Sequence, residues 1–192
     1  MSRIIEKIEF IYQFLDKPKI IGSIIPSSKY LTKKILSFLD FNKEELCLLE
    51  YGPGTGPFTS EIIKYLKPSD KLIVIELNQK FAKVLKEKFK RYKNVKIYED
   101  CVANTKKILD REGIKKIDYI ISGIPFSSLP KEVTNDILIN TQSIMNHQTL
   151  FLTFQYSKIK KATFNEHFNI LDIKFVLRNI PSAYVFCMNK KN

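Results

Sequence analysis

Residues 46–58 read Leu-Cys-Leu-Leu-Glu-Tyr-Gly-Pro-Gly-Thr-Gly-Pro-Phe, an apolar run that ends in a carboxylate and then breaks into three glycines spaced two apart. The pattern predicts the first strand of an α/β sheet, a tight turn and the opening of a helix. Gly52, Gly54 and Gly56 let the backbone take conformations closed to other residues, and they let a ligand approach the main chain without meeting a Cβ. Glu50, at the carboxyl end of the strand, faces the crevice where open α/β sheets bind ligands. The spacing is G-x-G-x-G. A nicotinamide fingerprint requires G-x-G-x-x-G, and a phosphate-binding loop ends in Gly-Lys followed by Ser or Thr. Pro57 and Phe58 stand at that point here, so neither loop fits.

Downstream, Lys71 to Asn78 reads KLIVIELN, a short apolar strand that ends in Glu76, twenty residues past the last glycine. A carboxylate at the tip of the neighbouring strand is placed to accept both hydroxyls of a ribose. Together, Glu50-Tyr-Gly-Pro-Gly-Thr-Gly56 and Glu76 resemble the nucleoside-binding half of class I S-adenosylmethionine-dependent methyltransferases, whose loop reads acidic-x-G-x-G-x-G. The resemblance implies S-adenosylmethionine as the cofactor. It also implies a Rossmann-like, doubly wound α/β fold with a seven-stranded sheet, closed by a C-terminal antiparallel hairpin and preceded by N-terminal helices. A glycine-rich turn in some other α/β protein is the alternative reading of the loop.

The 192 residues suffice for one core, and a hydrophobic fraction of 44% with six glycines excludes disorder and fibrous repeats. No stretch approaches the ~18 consecutive apolar residues that a spanning helix requires. Glu6, Lys7 and Glu9 interrupt the N-terminal apolar positions where a signal peptide would run unbroken. A cytoplasmic protein is expected. Cys47, Cys101 and Cys187 are odd in number and far apart, as buried free thiols are. His147 and His167 stand at no metal-ligand spacing, so no metal is expected. The net charge of +12 implies an anionic partner surface, nucleic acid or acidic lipid headgroups. The charge is densest from Lys80 to Lys96, where eight Lys or Arg face only Glu87, a run that also reads as a solvated helix face.

Residues 1–40 read as an N-terminal helical segment, and residues 41–192 as the cofactor-binding domain. Arg3 to Asp16 carries Ile4, Ile5, Ile8, Ile11, Tyr12 and Leu15 on one helical face, with Phe10 and Phe14 beside it. Two roles are open to it: a lid packed on the sheet, or a surface-lying helix that dips apolar residues into a membrane interface. After Lys17-Pro18-Lys19 comes IIGSIIPSS, in which Ser27 or Ser28 can cap a helix from Lys29 to Leu39. The phrase GSIIPSSKYLTKKIL resembles the segment ahead of the glycine loop in bacterial phospholipid N-methyltransferases. In that family it lies over the cofactor and helps to form the substrate entrance.

Helices are expected at Thr59 to Leu66 and at Gln79 to Tyr92, the second burying Phe81, Val84, Leu85 and Phe89. Asn94 to Tyr98 is the third strand, closing at Glu99-Asp100-Cys101. The resemblance implies that an acidic residue at this tip, Asp100, holds the adenine amino group, with Cys101 beside it. A helix N-cap is a compatible role for Asp100. The fourth strand, Lys116 to Ser122, exits through Ser122-Gly-Ile-Pro-Phe-Ser-Ser-Leu-Pro130. Methyltransferases acting on exocyclic amines of bases place Asn or Asp, x, Pro, Tyr or Phe here. This chain has Gly123-Ile-Pro-Phe126, which keeps the proline and the ring but has no side-chain acceptor. SGIPFSSLP is similar instead to the corresponding loop of the phospholipid N-methyltransferases.

A helix from Lys131 to Met145, a fifth strand at Thr149 to Tyr156, and a strand pair at Asp172 to Arg178 and Ala183 to Met188 complete the expected domain. Ribosomal adenine dimethylases, the nearest alternative, carry an additional helical domain after this point.

The resemblance implies methyl transfer to the amine of phosphatidylethanolamine or its partly methylated forms, at the inner face of an anionic membrane. An RNA (adenine-N6) or small-molecule methyltransferase is the alternative, and an inactive binding module a third reading. Such a transfer needs a neutral amine held in line with the methyl. Tyr30, Tyr156 or a water can take the amine proton. Tyr30, Phe126 and Tyr156 are candidates for an aromatic wall that attracts the cationic product.

Overall fold

The computed structural model describes residues 28–191. The helix expected over Arg3 to Asp16, and the segment that follows it to Ser27, lie outside the described residues.

The first described helix, α1 (Lys29–Leu36), starts where the sequence supplies a cap: the Ser28 hydroxyl oxygen accepts the amide hydrogen of Leu31. Leu31 and Ile35, four residues apart and so on one face, are completely buried. Strand β1 (Cys47–Tyr51) is buried along its whole length, as expected of a strand covered on both faces. Its amino end is held by two buried carboxylates. Asp70 accepts the Leu46 amide at 2.9 Å, and Asp118 accepts the Cys47 amide at 3.0 Å.

After the glycine loop come α2 (Pro57–Ile62), β2 (Lys71–Glu76), α3 (Gln79–Phe89) and β3 (Val95–Glu99). A short 3-10 turn, Val102–Asn104, leads into α4 (Thr105–Arg111), which is followed by β4 (Tyr119–Ser122). The chain then forms α5 (Lys131–Ile144), β5 (Leu150–Gln155), α6 (Lys161–His167), β6 (Phe168–Val176) and β7 (Ala183–Lys190). The strands form one seven-stranded sheet in the order β3-β2-β1-β4-β5-β7-β6. Strands β1 to β5 are parallel, and β7 pairs antiparallel with both β5 and β6. The expected doubly wound sheet with a closing antiparallel hairpin is therefore observed.

Side chains alternate across the sheet and divide the core in two. Leu48, Leu72, Val74, Ile121 and Leu152 pack beneath α1, α2 and α3. Leu49, Ile73, Ile75, Ile120 and Phe151 pack beneath α4, α5 and α6. Each such side chain, fully buried, contributes roughly 1.5–3 kcal/mol. All three cysteines are buried free thiols; burial pushes Cys47 up to about 12 and Cys187 to about 11, so both stay protonated.

Several elements depart from the sequence expectation: α1 ends at Leu36 rather than Leu39, α2 spans Pro57–Ile62 rather than Thr59 to Leu66, and β6 starts at Phe168 rather than Asp172. Helix α3 ends at Phe89 and buries Ala82, Leu85 and Phe89, while Val84 is turned out and 56% exposed. Helix α6 is unanticipated, because Lys160, Lys161, Asn165 and Glu166 leave Phe164 as its one fully buried side chain, too little to mark a helical stripe. No described helix is long and apolar enough to cross a membrane.

Candidate active site

The strand order reverses between β1 and β4, and ligands of doubly wound sheets bind at the carboxyl ends beside such a reversal. There the chain leaves β1 through its glycine loop. Gly52, Gly54 and Gly56 have φ of +58°, +58° and +78°, all in the left-handed region. Their reasons for being glycine differ. A Cβ at Gly54 would meet nothing within 4 Å, so the loop presents bare backbone to open space. One at Gly56 would lie 2.6 Å from the Leu85 side chain, so this glycine lets α3 pack against the loop.

Glu76 locks the loop from the neighbouring strand. Its Oε2 accepts the Gly54 amide hydrogen at 3.0 Å, and its Oε1 accepts that of Asn78 at 2.8 Å. Burial raises its pKa, and these backbone hydrogen bonds oppose the rise. Glu50 lies on the α2 face, only 1% exposed, where its Oε2 accepts the Thr59 hydroxyl hydrogen at 2.7 Å. Its Oε1 is a buried acceptor with no hydrogen-bond partner among the described residues. Burial pushes its pKa up to about 7. Thr59 was not anticipated from the sequence, since a Thr three residues past the loop gives no signal apart from its neighbours.

At the tip of β3, Asp100 Oδ1 accepts hydrogens from the Cys101 amide and the Asn104 side chain, both at 2.7 Å. The cap of the following 3-10 turn is Cys101, whose sulfur accepts the Ala103 amide hydrogen; Asp100 is not the cap. Ser122 is completely buried, and its hydroxyl oxygen accepts the Ile124 amide hydrogen at 3.2 Å, shaping the exit from β4. Between these tips lies a small apolar slot lined by Gly52, Leu77, Val102, Ile124 and Leu129. A bare glycine backbone, two buried carboxylates and an apolar slot together fit a nucleoside cofactor. The sequence expectation assigns Glu76 to its ribose and Asp100 to the amino edge of its base, and the fold brings both to the carboxyl end of the sheet beside the glycine loop.

The loop 123–130 packs on the glycine loop itself. The Gly123 amide donates to the Tyr51 carbonyl at 2.8 Å, and a Cβ on Gly123 would fall 2.5 Å from the Gly52 carbonyl oxygen. Gln155 fixes the other side of this loop. Its Nε2 donates to the Ile124 carbonyl at 3.1 Å, and its Oε1 accepts the Ser127 amide hydrogen at 3.3 Å. Sequence reading missed Gln155, which looks like an ordinary strand end until the fold brings it to residue 124.

The three aromatic candidates separate. Phe126 is completely buried, edge-on to Phe151 at 6.5 Å and to Phe164 at 5.5 Å. That corrects its expected place in a substrate wall: the turn after Pro125 directs the ring into the core. Tyr30 and Tyr156 are each 39% exposed. Tyr156 follows the carboxyl end of β5, and Tyr30 reaches the same sheet edge through Arg178, whose guanidinium sits 5.4 Å from its ring centre. A larger cavity opens at the opposite edge, lined by Asp70, Lys71, Arg91, Asn94 and Lys96; none of the candidate residues borders it.

Residues 5–169 match the family model for ribosomal RNA adenine dimethylase. The chain is 28% identical over 188 residues to an ornithine lipid N-methyltransferase from Singulisphaera acidiphila, an alignment covering 95% of each protein. It is 36% identical over 126 residues to ribosomal RNA small subunit methyltransferase A of Mycoplasma capricolum, covering 66% of this chain but only 44% of that protein. Among solved structures it is similar to the N-methyltransferase NodS from Bradyrhizobium japonicum, solved with S-adenosyl-L-homocysteine. The TM-score is 0.68, with 96% of this chain and 98% of that one covered. At 10% identity that likeness is one of fold.

Proposed function

The chain belongs to the ribosomal RNA adenine dimethylase family and is an S-adenosylmethionine-dependent methyltransferase; within that family we propose that its methyl acceptor is the headgroup amine of a membrane lipid. Phosphatidylethanolamine and its partly methylated forms are the acceptors we favour, and the amine of an ornithine lipid has the same chemistry.

The observation that carries this reading is the contact between residue 123 and the glycine loop. Base-modifying enzymes hold the exocyclic amine with an Asn or Asp at this place. Here the space a side chain would need is taken by the Gly52 carbonyl, 2.5 Å from the Cβ position. An acceptor group at 123 would require the cofactor loop to move. An amine that gains methyl groups loses its N–H donors one by one, so a fixed amide acceptor is of little use to it. An aromatic face that attracts a cation serves every stage. With Phe126 in the core, Tyr30 and Tyr156 are the candidates for that face. Burial raises the pKa of Tyr156, which keeps its phenol neutral, able to accept a hydrogen bond from the amine and to offer its ring. The alignment with the ornithine lipid enzyme, spanning 95% of both proteins, further supports the reading.

Bound S-adenosylmethionine supplies a methyl already activated on a sulfonium. What the chain adds is placement: Gly54 bares the backbone, Glu76 and Asp100 hold the nucleoside, and Gln155 fixes the loop beside it. The ribosomal relatives keep a second reading open, transfer to an adenine N6 of RNA. The test is transfer of labelled methyl to phosphatidylethanolamine, to an ornithine lipid and to undermethylated small-subunit RNA, each offered in turn. Label in either lipid is expected. Label in RNA alone would overturn the proposal.

A further inference from the structure

We propose that the turn between β6 and β7, together with the loop between β5 and α6, is the surface by which the protein seats itself on an anionic lipid bilayer. This rests on the lipid reading above and names the partner surface that such a reading requires.

Three aliphatic side chains stand out from the fold, largely uncovered by the other described residues. Leu177 is 74% exposed, Ile180 78% and Ile159 74%, and Phe175 beside them is half exposed. Their location is fixed by the strand register. Gln155 pairs with Tyr184, and Val176 with Ala183, so residues 177–182 project past the end of β5. Ser122 pairs with Thr153 and with Tyr51, which puts the glycine loop and the exit of β4 at that same edge. The exposed aliphatics therefore rim the edge on which the active-site crevice opens.

The turn is held rigidly in this orientation. Asn179 is turned inward and 4% exposed, its Oδ1 accepting the Ser28 amide hydrogen at 3.1 Å and its Nδ2 donating to the Pro181 carbonyl at 2.6 Å. With residue 179 pinned inside, its neighbours at 177 and 180 are held outside.

The charge around them is mainly positive. Residues 156–164 contain Lys158, Lys160 and Lys161 and no carboxylate. Near the turn Lys174 is paired with Asp172 at 2.9 Å, which leaves Arg178 as the cation of the turn itself. Two of these cations are laid over aromatic rings on the rim: Lys158 lies 4.8 Å from the Tyr184 ring centre, and Arg178 lies over Tyr30. Aliphatic tips flanked by cations match the layering of an anionic bilayer, in which phosphates lie outside and acyl chains within. A nucleic acid would use the cations and leave the aliphatic tips in water. That difference favours the bilayer.

The experiment is flotation of the full chain with vesicles of phosphatidylethanolamine and phosphatidylglycerol, compared with a Leu177→Asp/Ile180→Asp variant and a Lys158→Glu/Arg178→Glu variant. The parent should bind, and added salt should weaken it. Both variants should bind at least tenfold less, while calorimetry shows unchanged affinity for S-adenosylhomocysteine, the check that they are folded. Methyl transfer to the same lipid dispersed in detergent should survive in the aliphatic variant. Equal vesicle binding by the aliphatic variant, or no binding by the parent, would overturn the docking surface. Binding to single-stranded RNA that exceeds vesicle binding and is lost only in the charge variant would overturn it too. Absent lipid methylation in detergent, by contrast, would sink the lipid-amine reading without touching the vesicle result.

Discussion

Glu76 accepts the backbone amide hydrogen of Gly54 at 3.0 Å, a contact that joins the tip of β2 to the middle of the glycine loop across 22 residues of sequence. The carboxylate expected to meet the ribose therefore also holds the loop that presents the cofactor's binding backbone. Replacing Glu76 by Ala removes the acceptor for two partly buried amides, those of Gly54 and Asn78, at a cost of about 1 kcal/mol or more. Glu76→Ala should thus lose S-adenosylhomocysteine affinity in calorimetry and also shift its denaturant midpoint downward. Glu76→Gln keeps one acceptor oxygen and should lose affinity with a smaller loss of stability. A Glu76→Ala protein of parental affinity would remove this residue from the site.

Two glycines of the same crevice should respond oppositely to one added methyl group. At Gly123 the methyl meets the Gly52 carbonyl oxygen at 2.5 Å, so Gly123→Ala forces the backbone apart and should destabilise by about 1–3 kcal/mol. At Gly54 the methyl meets nothing but carries the cost of a left-handed φ of +58°, about 1–2 kcal/mol. It also occupies the open space before the loop. Gly54→Ala should therefore lose far more cofactor affinity than Gly123→Ala for a similar loss of stability. Equal affinities in the two folded variants would contradict the assignment of Gly54 to the ligand-facing backbone.

Glu50 gives the site a pH dependence whose sign is fixed by its surroundings. Burial is the largest cause of its raised pKa, the Thr59 hydrogen bonds oppose it, and the Glu76 charge adds to it. Between the ordinary carboxylate range and about 7, the folded protein holds a proton there that the unfolded chain releases. Stability should then fall as pH rises through that window, by at most about 1.4 kcal/mol per pH unit from this group. Glu50→Gln should flatten that slope and be the more stable protein above pH 7. A cationic ligand favours the ionised carboxylate, so affinity for S-adenosylmethionine should rise with pH through about 7 in the parent and not in Glu50→Gln. Parallel pH profiles of the two proteins, by thermal unfolding and by calorimetry, are the check.

How much of this was legible depended on whether the signal was local. The positions of the central strands were legible as short apolar runs that stop at Glu50, Glu76 and Ser122, because a buried parallel strand is apolar and stops where the crevice begins, while the seven-stranded arrangement was what the family resemblance implied. The glycine loop was legible for the same reason. What remained hidden was set by contacts distant in sequence. Thr59 matters through Glu50, Gln155 through residues 124 and 127, and Asn179 through Ser28, 151 residues away. Phe126 was a candidate for the cation-attracting wall because it stands at the aromatic position of the family's loop, yet the direction of a ring after a turn is decided by the hole it fills. Here that hole lies between Phe151 and Phe164.

The longest of these links supports a last prediction. The Asn179 side chain accepts the Ser28 amide hydrogen, and the Ser28 hydroxyl in turn caps α1 through the Leu31 amide at 3.3 Å. The β6–β7 turn thereby fixes where the chain enters α1, and with it the position of Tyr30 at the rim. Ser28→Ala removes only the cap, at about 1 kcal/mol, and leaves the backbone amide of residue 28 to bond Asn179. Asn179→Ala leaves that amide and the Pro181 carbonyl without their partner in a nearly buried place, at about 1–3 kcal/mol, and frees the chain entering the helix. Amide hydrogen exchange at residues 28–32 should therefore accelerate more in Asn179→Ala than in Ser28→Ala, although residue 179 is the one distant in sequence. Methyl transfer should fall with it, while cofactor affinity, which we assign to Glu76 and Gly54 on the other side of the strand reversal, should hold. Unchanged exchange at 28–32 in Asn179→Ala would mean that the packing of Leu31 and Ile35 alone positions the helix.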